Sequence, residues 1–324
     1  MYKYFLLSFF IISSCVSQSK IKLDKTSLIW NKAEHSAFTT LVSHNGYLYC
    51  AFREGTSHHS YDGGIRIIKS KDTQNWEDVA FISIPQEDLR DPKFIINNND
   101  LNLIFVSRTE TEHFSYSYSY STENGEEWSQ ENRELGTWRW NATEFNGKIY
   151  SVGYSSNDKQ GRIYSTKTGD SWQPIKNNFF PDIASYPNET ALFFSSDRTS
   201  YAFVRQDKKS KSALIGTSSP PYQDWTWKDL NTRIGSPSGI LLNDSLILAC
   251  VRLYFPVRTS LVWIDPIKGT LKEDTVLPSG GDTGYASIVS FKNKYYVSYH
   301  SSKNAERKSS IYLTEFTINV DGEN

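Results

Sequence analysis

Apolar residues in this chain come in short runs that end on a polar or charged side chain. Six of them stack: GYLYCAFR (46–53), LNLIFVSR (101–108), GKIYSVGY (147–154), RTSYAFVR (198–205), SLILACVR (245–252) and NKYYVSYH (293–300). Their last residues, Arg53, Arg108, Tyr154, Arg205, Arg252 and His300, are 55, 46, 51, 47 and 48 residues apart. A unit of about 50 residues has room for four short strands, and six such units predict an all-β fold, a six-bladed β-propeller with four-stranded blades. Fewer than four strands' worth of chain follows Tyr285, so the ring must be closed by strands from both termini. The segment around Ser27–Trp30 is expected to complete the last blade beside Ser310–Ile318, which removes an exposed edge.

A second strand signal lies 13 to 18 residues ahead of each ring position: His35, Arg90-Asp91, Asn141, Glu189, Ser236-Pro237 and Tyr285. Inner-strand ends of a propeller converge on its central channel at one face. The repeat phase therefore aims His35, Arg53, Arg90, Asp91, Arg108, Glu189, Arg205, Arg252, Tyr285 and His300 at one shared pocket. Trp138-Arg139-Trp140 opens the third blade beside the same channel, fit for stacking on a sugar or for packing.

Composition agrees with strands. Twenty Tyr, eighteen Phe and nine Trp stand beside a single Met, and aromatic residues fit a pleated, half-buried surface. With 35 basic and 36 acidic residues the net charge is −1, which excludes a polybasic nucleic-acid binder. Residues 1–14 read as an export signal: Lys3, the apolar core FLLSFFII (5–12), then Ile12-Ser13-Ser14-Cys15. Eight apolar-rich residues are too few to span a bilayer, which takes about 20. Small residues before a Cys resemble a bacterial lipoprotein signal, which implies cleavage before Cys15, lipidation of its thiol, and an exported chain anchored to a membrane only by lipid. The domains are then a signal at 1–14, a short tether at 15–26, and one propeller at 27–324, expected to be a monomer. Cys50 and Cys250 fall in non-neighbouring blades and are expected as buried free thiols.

Turns ending in Trp recur in phase: SKDTQNW (70–76), STENGEEW (121–128), STKTGDSW (165–172) and, more loosely, SSPPYQDW (218–225). They resemble the Asp-box of the sialidase superfamily, with Glu123 and Lys167 where the box has Asp. The resemblance to exo-sialidases extends over the whole mature chain. AFREG…YDGGIRIIKSKDTQNW (51–76) is similar to the run that holds the family's acid/base, which implies that role for Asp62. YPNETALFF…AFVR (186–205) resembles the Asn-Glu segment followed by an arginine. It implies that Glu189 activates the nucleophile and Arg205 binds the substrate carboxylate. RTSLVWID (258–265) resembles the strand opened by the next such arginine, pointing to Arg258, and GDTGYASIVSF (281–291) the segment of the tyrosine nucleophile, pointing to Tyr285.

The residue types suit the chemistry. A neutral phenol deprotonated by Glu avoids repulsion from the carboxylate of a ketosidic sugar acid, and arginines bind that carboxylate bidentately. The chain departs from the family at EHSAFTTL (34–41), which lacks the first carboxylate-binding arginine; His35 shares that strand face and Arg53 offers a substitute. His58-His59 with His35 and His300 hint at a metal, but adjacent imidazoles do not easily share one ion, and no metal or cofactor is expected. No nucleotide or serine-hydrolase motif occurs. The reading is a retaining exo-glycosidase on a terminal acidic sugar. A propeller lyase of uronic-acid glycans (using His35, His300 and Tyr285) and a non-catalytic glycan-binding lipoprotein are the alternatives.

Overall fold

A computed structural model describes residues 20–97, 100–110, 115–155, 160–303 and 309–319; the signal and Cys15 lie outside them. Blade 1 comprises β2 (His35–His44), β3 (Tyr47–Gly55), β4 (Gly64–Ser70) and β5 (Glu77–Ile82), and blade 2 comprises β6 (Glu87–Asn97), β7 (Asp100–Thr109), β8 (Ser115–Thr122) and β9 (Ser129–Leu135). Blade 3 holds β10 (Trp138–Phe145), β11 (Lys148–Tyr154), β12 (Arg162–Thr166) and β13 (Gln173–Asn177), and blade 4 holds β14 (Pro187–Phe194), β15 (Ser200–Gln206), β16 (Ser212–Ser218) and β17 (Thr226–Arg233). Blade 5 is β18 (Gly235–Asn243), β19 (Leu246–Tyr254), β20 (Val257–Asp265) and β21 (Thr270–Val276). Blade 6 is β22 (Thr283–Phe291), β23 (Lys294–Ser301) and β24 (Ser310–Ile318), completed on its outer edge by β1 (Ile21–Trp30).

The expected six blades and two-ended closure are present. The tether is shorter than expected: β1 begins at Ile21, pairing with Ile318, and not at Ser27. The amide of Ile21 and that of Lys20 just before it donate to the Asp274 carboxylate on β21, at 3.2 Å and 3.0 Å. A register shift after Leu28 turns Trp30 into the seam with blade 1, where it is buried and its indole N–H donates to Glu54.

The core is divided into seams. Six apolar clusters are found among the described residues, one at each junction of neighbouring blades. The seam between blades 4 and 5 is built from Phe203, Ile215, Ile247, Val251 and Val262, all at most 1% exposed. Cys50 and Cys250 are buried free thiols in two different seams. The Trp-ended turns are hydrogen-bonded hairpins. Asp72 Oδ1 accepts from Gln74 and Asn75 N–H, and the Trp76, Trp172 and Trp225 indoles each donate to the carbonyl three residues back. In the second turn the cap is Asn124, not Glu123, and in the third Thr166, not Lys167.

One feature of the inner strands positions the site. All six carry an irregularity at the same height: between Ala37 and Thr40, Arg90 and Lys93, Trp140 and Thr143, Pro187 and Thr190, Gly235 and Ser238, and Gly284 and Ser287. Three residues' travel there opposes two on the second strand, a β-bulge, which bends the strand and re-aims a side chain. In five blades the first extra residue is left-handed: Phe38 (φ 63°), Asp91 (51°), Asn141 (46°), Ser236 (49°) and Tyr285 (51°).

Candidate active site

Bulge residues and ring residues meet at the mouth of the channel. A bulky side chain in the left-handed region costs about 1 kcal/mol or more, and for Tyr285 neighbouring blades hold the conformation. Its N–H donates to Ser236 Oγ of blade 5 (2.9 Å), and its carbonyl accepts from Thr39 Oγ1 of blade 1 (2.8 Å). Gly284 (φ 126°) precedes it, and a Cβ there would fall 2.8 Å from Ser236 Oγ, so glycine lets the two blades close up. Phe38 packs edge-on against the Tyr285 ring at 4.6 Å and Trp140 at 5.5 Å.

The Tyr285 hydroxyl donates to Glu189 Oε1 at 3.0 Å. Glu189, 4% exposed, receives the Ser236 N–H on Oε2 at 2.7 Å and Arg205 Nη1 on the same oxygen at 2.7 Å. Burial pushes the Glu189 carboxyl up, but Arg205 and these hydrogen bonds outweigh it, so it lies below the usual carboxylate range. Burial pushes the Tyr285 phenol well above its ordinary value, and Glu189 and Asp91 add to this against Arg205 and Arg252. The pair is therefore an anion receiving a hydrogen bond from a neutral phenol.

Asp91, 4% exposed, accepts the Trp138 indole N–H on Oδ2 (3.0 Å), while its buried Oδ1 has no hydrogen-bond partner among the described residues. Burial raises its carboxyl above the ordinary range; Lys93 and Arg90 oppose this and Glu189 adds to it. Lys93 lies over the Trp140 ring at 4.6 Å and lines the channel below.

A second constellation adjoins the first. Asp282 Oδ2 meets His35 Nε2 at 2.9 Å and His58 Nδ1 at 2.6 Å, while Oδ1 meets His300 Nε2 and Arg252 Nη2, each at 3.4 Å. Burial raises Asp282, but the three imidazoles outweigh it and hold the carboxyl far below its usual range. The Phe38 N–H donates to His300 Nδ1, which leaves Nε2 as the donor to Asp282. Burial lowers His300 to about 4. His35, His58 and Asp282 are the one group among the described residues with the spacing of metal ligands, but Arg252 already supplies a positive charge to that carboxylate.

The structure brings Tyr285, Glu189, Arg205, Arg252, His35, Asp91 and His300 together. The other expected residues make no bond to Tyr285 or Glu189, though Asp62 sits on the 56–62 loop whose His58 bonds Asp282 of this cluster. Arg258 pairs with Glu273 on the outer strand β21 (2.6 Å) and not with this cluster. Arg53 is wholly buried: it bonds Asp88 Oδ1 at 2.6 Å and holds the Ser57 and Ser60 carbonyls, so it clamps the 56–62 loop and does not replace the missing arginine. Arg90 holds the same loop through the His58 carbonyl (2.8 Å) and binds Asp88. Asp62 is exposed in that loop and accepts the Thr56 N–H at 3.1 Å; burial raises it, but bonds from Ser60 and Thr56 leave it below the usual range. Arg108 is exposed and lines a separate cavity of about 310 Å³ with His59, Ser60, Tyr61 and Asp88.

Sequence reasoning missed Phe38 and Asp282. Phe38 was within reach, since it precedes Arg53 by the same 15 residues that separate Tyr285 from His300. Asp282 lies between blades 5 and 6, outside the repeat phase.

No protein-family model matches the chain, and no curated protein does. Among solved structures it is similar to a protein of unknown function from Dyadobacter fermentans (TM-score 0.76, 18% identity, 92% of this chain and 99% of that one). It is also similar to the GH93 α-L-arabinofuranosidase of Fusarium graminearum in complex with arabinobiose (TM-score 0.69, 13% identity, 91% and 98%). A third likeness is to Trypanosoma rangeli sialidase in complex with the inhibitor DANA (TM-score 0.64, 12% identity, 87% of this chain and 55% of that one). These likenesses are of fold: the chain is an all-β, six-bladed propeller, as those structures are.

Proposed function

We propose that this protein is a retaining exo-glycosidase that removes a terminal sugar from a glycan, with Tyr285 as nucleophile and Glu189 as its base. The observation that carries the reading is the 3.0 Å hydrogen bond from the Tyr285 hydroxyl to a buried, ionised Glu189. Both Glu189 oxygens are engaged, by Tyr285 on one side and by Arg205 and the Ser236 amide on the other. The phenolic oxygen is thus the nucleophile the pair can present.

In the first step the Tyr285 oxygen bonds to the anomeric carbon as its proton passes to Glu189. The glycosidic bond breaks, and Asp62 gives its proton to the departing oxygen. In the second step Asp62 takes a proton from water, the hydroxide bonds to the anomeric carbon, and the phenoxide leaves and recovers its proton from Glu189. Arg205 and Arg252 both favour the developing phenoxide. The fold likeness to an arabinofuranosidase and a sialidase supports the reaction class.

The lyase alternative draws less support, because His300 is wholly buried with its ring nitrogens engaged by Asp282 and the Phe38 amide. Export and lipid anchorage through Cys15 belong to the proposal on the strength of the signal, with the domain a monomer. The test is turnover of glycans and aryl glycosides with product stereochemistry followed by NMR. Release of the sugar with the anomeric configuration of the substrate supports the reading, and an unsaturated product would replace it with the lyase.

A further inference from the structure

Every cation that the chain aims at the mouth around Tyr285 already faces a carboxylate of the protein's own. Arg205 binds Glu189 and, at 3.0 Å, Asp207. Arg252 reaches Asp282 with Nη2 and the Thr283 carbonyl with Nε. Lys93, 5% exposed, is faced by Asp91 and Glu189. Below the loop, Arg53 and Arg90 share Asp88. His35, which stands on the strand where the sialidase-like pattern has its first arginine, is turned onto Asp282 as well.

From this saturation we infer that the site selects an uncharged sugar and rejects one bearing a carboxylate; the inference rests on the glycosidase reading above and revises the acidic sugar expected from sequence. Asp282 occupies the place between Arg252, His35, His58 and His300 where an anionic substrate group would need to sit. At the mouth itself three cations, Lys93, Arg205 and Arg252, face four carboxyls, Asp91, Glu189, Asp207 and Asp282, so the mouth carries no positive surplus. A sugar carboxylate entering it must part Arg252 from Asp282 or Arg205 from Glu189. Parting Arg205 from Glu189, which is 4% exposed, breaks a buried pair, which is strongly unfavourable; parting Arg252 from Asp282 takes the one arginine from a carboxylate that then keeps only imidazole partners.

The same groups suit hydroxyls. Asp282, 29% exposed on its side chain, is an acceptor for sugar O–H groups, and His58, equally exposed, stands beside it. Asp91, with its raised carboxyl and unpartnered Oδ1, offers a hydrogen bond to a hydroxyl and adds no charge when protonated. Arg108 has no part in this balance, since neither Tyr285, Glu189, Arg205 nor Arg252 lines its cavity.

The test pairs turnover with binding. Wild-type protein is assayed on matched aryl glycosides that differ only in a carboxylate (glucoside with glucuronide, galactoside with galacturonide), together with an arabinofuranoside and a sialoside. Tyr285→Phe is applied to an array of neutral and acidic glycans. The expected result is turnover and retention of uncharged members only, with acidic counterparts weaker by roughly 100-fold. Asp282→Asn, which frees Arg252, is expected to raise retention of carboxylate-bearing glycans about tenfold. Preferential turnover or retention of acidic sugars would overturn the inference and leave the glycosidase standing. Selective retention of neutral glycans without turnover would uphold the selectivity and remove the glycosidase, and retention of neither class would remove both.

Discussion

Glu189 and Tyr285 are 96 residues apart in the chain and 3.0 Å apart in space, each delivered by a bulge at the same height of its own blade. Their meeting depends on repeat phase, and so does the first expectation. Tyr285→Phe should lower kcat on the order of 10³-fold or more while glycan binding changes little, because only the reacting oxygen is removed. Unchanged thermal melting would establish that the loss is chemical, and near-normal kcat would end the nucleophile assignment.

Asp62 gives an expectation about leaving groups. Asp62→Asn should slow glycosides of alcohols by about 10²-fold or more and nitrophenyl glycosides far less, since an activated phenol departs without a proton. Bonds from Thr56 and Ser60 keep the free carboxyl below its ordinary range. Its proton-bearing fraction therefore falls as pH rises, and kcat/KM on unactivated substrates should be highest at acid pH. Equal effects on both substrate classes would remove Asp62 from the proton-donor role.

Stability should fall with acid through His300. Its folded-state value of about 4 lies below the unfolded 6.5, held down by burial against Asp282, with Arg252 and His35 also unfavourable to its charged form. Between pH 6.5 and 4 the unfolded chain binds a proton that the folded one refuses, so stability is intact above 6.5 and drains away toward 4. A shift of that size corresponds to about 3 kcal/mol. Urea unfolding at pH 7 and pH 4.5 measures it, and His300→Gln should flatten the difference.

Arg53→Met tests the loop clamp. Removing a wholly buried guanidinium leaves Asp88 with Arg90 alone, and a loss of about 3–5 kcal/mol is expected. Residues 56–62 should become sensitive to protease and amide exchange sooner than the blades. A melting temperature unchanged from wild type would contradict the clamp.

The period of about 50 residues made the fold legible, because each blade must bury its faces against the next and so repeats one pattern. Glu189, Tyr285 and Arg205 were legible for the same reason. Arg258 was not, because one residue's shift along a strand changes its face: Arg252 faces the mouth, and Arg258, six residues on and across a turn, finds Glu273. Arg53 kept its ring position, yet Asp88 and two loop carbonyls captured it. Asp282 belongs to an inter-blade loop, where neither alternation nor period says which way a side chain turns.

The direction of β1 has a consequence for presentation. β24 starts beside His35, at the height of the mouth, and runs to Ile318 on the far face. Because β1 is antiparallel to it, with Ile21 opposite Ile318, the chain enters the propeller from the face away from Tyr285. Only five residues separate Cys15 from Ile21, a reach of roughly 20 Å when extended. On the proposed lipid anchor the disc would ride low on its blind side, with the mouth opening outward from the bilayer. Such an orientation favours soluble or wall-borne glycan chains over the headgroups of the same membrane.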